Sequence, residues 1–158
     1  MPSNILLLSI RPKYAKKIFE GNKKVELRRV RTRLDKDDLV LVYASSPQKA
    51  LLGYFEVDSI LEIPIHKFPE DLNKIWNQVG KTAEMTRKEF DIYYANASLS
   101  VCIFLKNVQL LPEPVNLTRL REELSDFRPP QSYHYLTEND FQTIKYLAQN
   151  NTSSVSNY

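Results

Sequence analysis

Residues 4–29, NILLLSIRPKYAKKIFEGNKKVELRR, decide how this chain folds. Asn4 to Ile10 is a short apolar run and reads as a buried strand. Pro12 to Glu20 reads as a helix, with proline at its first position and Gly21 just past its end. Tyr14, Ala15, Ile18 and Phe19 recur at helical spacing and supply a buried stripe, which leaves Lys13, Lys16 and Lys17 to solvent. Lys24 to Arg29 then alternates. Val25 and Leu27 take one face while Lys24, Glu26 and Arg28 take the other, the pattern of a half-buried strand.

Outward from this unit, Leu39 to Ala44 and Leu51 to Leu61 are further strands, the second marked by Gly53 as a bulge. Lys67 to Gln78 and Thr86 to Ala95 are two short helices, and Thr86 with Glu89 forms a capping-box pattern. Leu99 to Leu111 is the longest strand, ended by Pro112 and Pro114. Asn116 caps a helix to Leu124, Thr137 to Asp140 caps another over Phe141 to Gln149, and Arg128 to Leu136 reads as an extended connector. Strands dominate and helices fill the connections without regular alternation. The expected class is therefore α+β, a small and mostly antiparallel β-barrel with helices packed at its ends. One domain over residues 1–149 is expected, with 150–158 as a disordered polar tail.

A chain of 158 residues with 42% hydrophobic and 26% charged residues supports one core and is too apolar for wholesale disorder. Three glycines are too few for a glycine-rich phosphate loop, and one cysteine, Cys102, rules out a disulfide framework within the chain. No apolar run approaches the roughly 20 residues of a membrane span, and Ile5 to Leu8 is too short for a signal peptide, so a cytoplasmic protein is expected. The formal charge of +3 conceals an asymmetry. Residues 11–36 hold 11 of the 22 basic residues and 3 of the 19 acidic ones, +8 against −5 for the rest. Such polarity suits a polyanionic partner.

Gly21, Lys23, Glu26 and Arg28 bring a cation, a carboxylate and a guanidinium to one strand entrance. On spacing alone this is equally a solvated edge with a weak ion pair. Arg29, Arg31 and Arg33 continue the basic run beside it and read as phosphate contacts, with Arg11 at the end of the first strand. Tyr43, with Ser45 and Ser46 behind it, and Tyr93 are candidate stacking and hydroxyl contacts to a base. His66 and His134 are isolated and lack metal-ligand spacing, so neither a metal nor any other cofactor is expected.

Leu8-Ser9-Ile10-Arg11-Pro12-Lys13-Tyr14-Ala15 followed by Gly21-x-Lys23-x-x-Glu26-x-Arg28 resembles the ASCH domain, a member of the PUA-like superfamily of small RNA-binding β-barrels. The resemblance implies a cleft lined by Arg11, Lys23, Glu26 and Arg28 where RNA or a modified nucleotide binds. Some small ASCH proteins deacylate N4-acetylcytidine with a lysine, a threonine nucleophile and a glutamate. Here Lys23 matches the lysine, Glu26 stands where the threonine belongs, and Glu84 is only a loose match for the acid. A carboxylate cannot repeat a hydroxyl's attack and would act as general base on water instead. The resemblance thus implies a nucleic-acid-binding module, with a metal-independent ribonuclease or an amidohydrolase of acylated (deoxy)cytidine-type nucleosides as the alternative. Lys23 and Glu26 would be catalytic in either enzyme.

Overall fold

The opening stretch folds as β1 (Ile5–Ile10), α1 (Pro12–Phe19) and β2 (Val25–Arg28). Proline opens α1. Gly21 leaves it at φ +85, and the amides of Gly21 and Lys23 donate back to Ile18 O and Lys17 O at 3.1 and 3.0 Å. The computed structural model describes residues 2–124, 127–129 and 133–156. After β2 come β3 (Leu39–Ala44), β4 (Ala50–Pro64), α2 (Glu70–Ala83), α3 (Arg87–Tyr94), β5 (Leu99–Asn116), α4 (Leu117–Glu123), β6 (Tyr133–Leu136) and α5 (Glu138–Ser156).

One six-stranded sheet orders them β2-β5-β4-β3-β1-β6, with β1 and β3 parallel and every other pair antiparallel. The expected barrel becomes an open strand order. Among the described residues no ladder joins β2 to β6. Instead Tyr133 Oη donates to Arg31 O at 3.3 Å, and the Arg33 amide donates to Tyr135 Oη at 2.6 Å. The reason is local. β2 is four residues long, and the chain leaves it into the basic loop before its backbone could reach a second neighbour.

Residue parity sorts the core. Leu6, Leu8, Val40, Val42, Phe55 and Ile103 pack with Ala15 and Ile18 of α1, while Leu7, Leu41, Tyr43 and Leu51 pack with Phe141, Ile144 and Leu147 of α5. A third cluster sets Ile75, Val79, Phe90 and Tyr94 of α2 and α3 against Val25, Leu27 and Cys102. Asp38, 2% exposed, ties the basic loop to β1 by accepting from the amides of Ser3, Asn4 and Asp35.

The helix caps follow the sequence pattern: Thr86 and Glu89 bond reciprocally at the start of α3, and Asn116 accepts from the Arg119 amide at 2.9 Å. Three elements differ from expectation. β5 continues past Pro112 and Pro114 to Asn116, because Gly53 pairs with Leu110 and Leu51 with Val115, which places both prolines in the register shift between these pairs, where a ladder N–H is not required of them. β6 is a strand within the expected connector; residues 130–132 of that connector lie outside the described residues. α5 runs on to Ser156, beyond Gln149, into the segment expected as a tail, whose last two residues lie outside the description.

Gly53 marks the register shift on both of its ladders, as its place in the strand suggests. A Cβ there would stand 2.3 Å from Gln109 O and 2.6 Å from Phe19 Cε1. Gly53→Ala is therefore expected to cost about 1–3 kcal/mol, read as a lower urea midpoint, because backbone rather than a flexible side-chain tip must move.

Candidate functional site

β1 and β2 stand towards opposite edges of the sheet, and α1, which packs Ala15 and Ile18 on the core, spans the gap between them. Lys23 and Glu26 sit at its base, 3% and 5% exposed. Lys23 is placed by the turn after Gly21, and the neighbouring Lys24 amide is pinned to Thr82 O at 2.8 Å. Its Nζ donates to Ala83 O at 2.6 Å, a terminal carbonyl of α2 where the helix dipole is negative. The same Nζ lies 3.6 Å from Glu26 Oε1 and 5.2 Å from the centre of the Tyr14 ring. Glu26 Oε2 accepts from Arg28 Nη1 at 3.2 Å, so a cation stands at each carboxylate oxygen. Burial pushes the Lys23 ammonium below its ordinary pKa, with Glu26 opposing the shift.

This polar base is the floor of a cleft of about 600 Å3. Arg11, Ser45, Arg29, Val30, Ile92, Tyr93 and Tyr133 of β6 share its lining. The Arg29 guanidinium lies 4.8 Å over the Tyr93 ring and donates to Tyr93 O at 3.3 Å. Tyr94 faces the other way. It is fully buried and donates to Arg28 O, which anchors the end of β2 to α3.

Seven of the residues singled out in sequence therefore share one lining: Arg11, Lys23, Glu26, Arg28, Arg29, Ser45 and Tyr93. Four do not. Tyr43, 2% exposed, packs with Phe127 at 6.4 Å in the cluster under α5, which corrects the expectation that its ring could stack on a base in this cleft. Arg31 is paired with Glu62 at 2.5 Å, Arg33 stacks 4.1 Å over Tyr135, and Ser46 is outside the lining, joined to Pro47 by a cis bond. Glu84 caps α2 at φ 55 and offers its carbonyl to Lys17, with no place in the lining. His66 and His134 are likewise outside it, and among the described residues no three His, Cys, Asp or Glu side chains cluster to hold a metal. Among the same residues no helix is long and apolar enough to cross a membrane.

A family model for the ASCH domain matches residues 8–109, which takes in Arg11, α1, β2 and most of β5. The chain belongs to the ASCH domain family. A curated relative, the ASCH domain-containing ribonuclease of Zymomonas mobilis, is 27% identical over 138 residues, covering 87% of this chain and 88% of its own. The crystal structure of ASCH from Zymomonas mobilis superposes with a TM-score of 0.81 at 26% identity, over 91% of this chain and 95% of that one. Human THYN1, solved in complex with DNA containing 5-methylcytosine, shares the fold at a TM-score of 0.58 and 13% identity, over 92% of this chain and 98% of that one.

Two residues of this ASCH domain were not singled out as site residues. Tyr14 Oη donates to Glu89 Oε2 at 2.5 Å, and Lys13 Nζ reaches the same oxygen at 2.8 Å. Both Tyr14 and Glu89 line the cleft, although one is legible in sequence as helix stripe and the other as helix cap. Lys13, the Thr86 amide and Tyr14 hold the Glu89 carboxyl well below the usual carboxylate range. Burial, then the bond to Glu89, pushes the Tyr14 phenol up to about 12 from 10.0. A raised folded pKa means that the Tyr14 contribution is fully present below pH 10 and is lost as pH rises through about 12. Tyr14→Phe is expected to lose about 1 kcal/mol near neutrality, a modest figure because Glu89 is partly exposed. The gap between the two proteins should close when urea unfolding is repeated at rising pH.

Proposed function

We propose that this ASCH protein binds single-stranded RNA, holding the backbone on the rim cations Arg11 and Arg29 and lowering one nucleotide onto Lys23, Glu26 and Arg28. The observation that carries this reading is the cleft itself, about 600 Å3, in the size range of sites for single small ligands, with cations at the rim and a charge-compensated floor. Apolar and aromatic side chains, Val30, Ile92 and Tyr93, supply a wall against which a base can lie. The likeness to a protein named as a ribonuclease, along nearly the whole of both chains, supports RNA as the partner. The contacts of Tyr133 and Tyr135 with the basic loop support reading the curled sheet as a PUA-like barrel closed by side chains at that seam.

Fluorescence anisotropy with a labelled single strand and a duplex of equal length tests this proposal. The single strand should bind about tenfold more tightly, with log K falling as log salt rises by roughly 0.7 for each phosphate contacted. Equal binding of both, or none, overturns it.

A second reading, a metal-independent ribonuclease, is favoured by the name of the Zymomonas relative and by the depressed pKa of Lys23. There the floor holds the scissile phosphate rather than a base. Glu26 takes the proton of the 2′-hydroxyl, whose oxygen attacks phosphorus, and Lys23 returns a proton to the departing 5′-oxygen while Arg28 stabilises the phosphorane. Turnover of RNA in EDTA that disappears in Lys23→Met supports this reading; no turnover by the wild type removes it. Deacylation by a hydroxyl nucleophile is disfavoured, since Glu26 occupies the threonine's place and Glu84 lies outside the lining.

A further inference from the structure

We infer that the floor of the cleft reads the imide edge of a uracil-type base. The inference rests on the RNA-binding reading, in which the floor receives a base. Its basis is the order of groups along the floor. Lys23 Nζ lies at Glu26 Oε1, 3.6 Å away, and Arg28 Nη1 lies at Oε2, 3.2 Å away. A donor, an acceptor and a donor therefore follow one another.

The cations cannot exchange roles with the carboxylate. An ammonium and a guanidinium carry donors only, and an ionised carboxylate only accepts. The floor is also rigid. Lys23 is held by Ala83 O, Arg28 by Glu26, and the carbonyl of Arg28 by Tyr94. At 3% and 5% exposure, Lys23 and Glu26 have little water to make good a mismatched partner.

Uracil presents the complement: O4 accepts, N3–H donates and O2 accepts. Cytosine sets an amino donor where uracil has O4 and a bare N3 against the carboxylate. Adenine sets its N1 acceptor against Glu26, and guanine ends its edge in an amino donor that would meet a cation. Each leaves a buried polar group facing its like, the situation in which sites discriminate most strongly. Val30, 58% exposed, and Ile92, 67% exposed, stand at the cleft wall, where a pyrimidine face would cover them. Thymine carries the same imide, so RNA and DNA are separated by the sugar and the 5-methyl group rather than by this edge.

The experiment is competition anisotropy on the wild-type protein with oligo(U), oligo(C), oligo(A), oligo(dT) and an oligo(U) whose bases are 3-methyluracil. Oligo(U) should bind about tenfold or more tightly than oligo(C) or oligo(A), and 3-methylation, which removes N3–H and nothing else on that edge, should abolish the advantage. Oligo(dT) matching oligo(U) assigns the preference to the imide alone; a weaker oligo(dT) adds the sugar or methyl group to it. A second arm is Glu26→Gln, whose amide can offer an N–H, and the ratio of oligo(U) to oligo(C) should fall or invert. Equal affinity for all bases, with the Arg11 and Arg29 dependence intact, overturns this inference and leaves RNA binding standing. Failure to bind any oligonucleotide overturns both.

Discussion

Glu26→Ala is expected to destabilise the fold by about 3–5 kcal/mol, the cost of leaving buried charge without its partner. Two cations pair with this carboxylate. Lys23 would keep the Ala83 carbonyl and the Tyr14 ring, but neither carries a full negative charge. Arg28, with its side chain 14% exposed, would lose its 3.2 Å ion pair at the end of β2. The change should appear as a lower urea midpoint with an unchanged slope, because the surface exposed on unfolding is the same. Glu26→Leu combined with Lys23→Met should be less damaging than Glu26→Ala, since it removes a buried charge along with its partner. A loss below about 1 kcal/mol for Glu26→Ala would mean that the pair behaves like a solvent-screened one. The arrangement also accounts for a short edge strand that carries charge inward: Glu26 compensates a cation at each of its oxygens.

Much of this was legible in the chain because the signals were local. Pro12, Gly21, Thr86 and Asn116 mark helix ends through their own backbone chemistry, and each does so in the structure. The alternation in Val25 to Arg28 placed Glu26 and Arg28 on one face, and the structure pairs them across that face. What escaped depends on distant partners. The Leu39 to Ala44 run is apolar throughout, so nothing in it tells which face Tyr43 takes; the ladder with β1 and the packing of α5 decide that. Pro112 and Pro114 read as a strand end because the bulge that accommodates them is set by Gly53, far away in sequence. Tyr14 and Glu89, 75 residues apart, each satisfy a local role that conceals their meeting over the cleft. The open edge between β2 and β6 also required the three-dimensional path of the basic loop.

That path redistributes the work expected of the basic block. Arg29, Arg31 and Arg33 look equivalent in sequence, but Arg31 is occupied by Glu62 and Arg33 by the Tyr135 ring, while Arg29 lines the cleft together with Arg11. Reversing charge in Arg11→Glu with Arg29→Glu should therefore weaken single-stranded RNA binding by at least about tenfold at low salt. The slope of log K against log salt should become shallower by roughly 1.4, two contacts at about 0.7 each. Arg31→Glu with Arg33→Glu should leave that slope nearly unchanged and lower the urea midpoint instead, through loss of the Glu62 pair and the Tyr135 stack. Binding measured from low to physiological salt distinguishes the two pairs. If the second pair flattens the slope as much as the first, the phosphate track follows the loop rather than the cleft rim, and the nucleic acid enters from the β6 side.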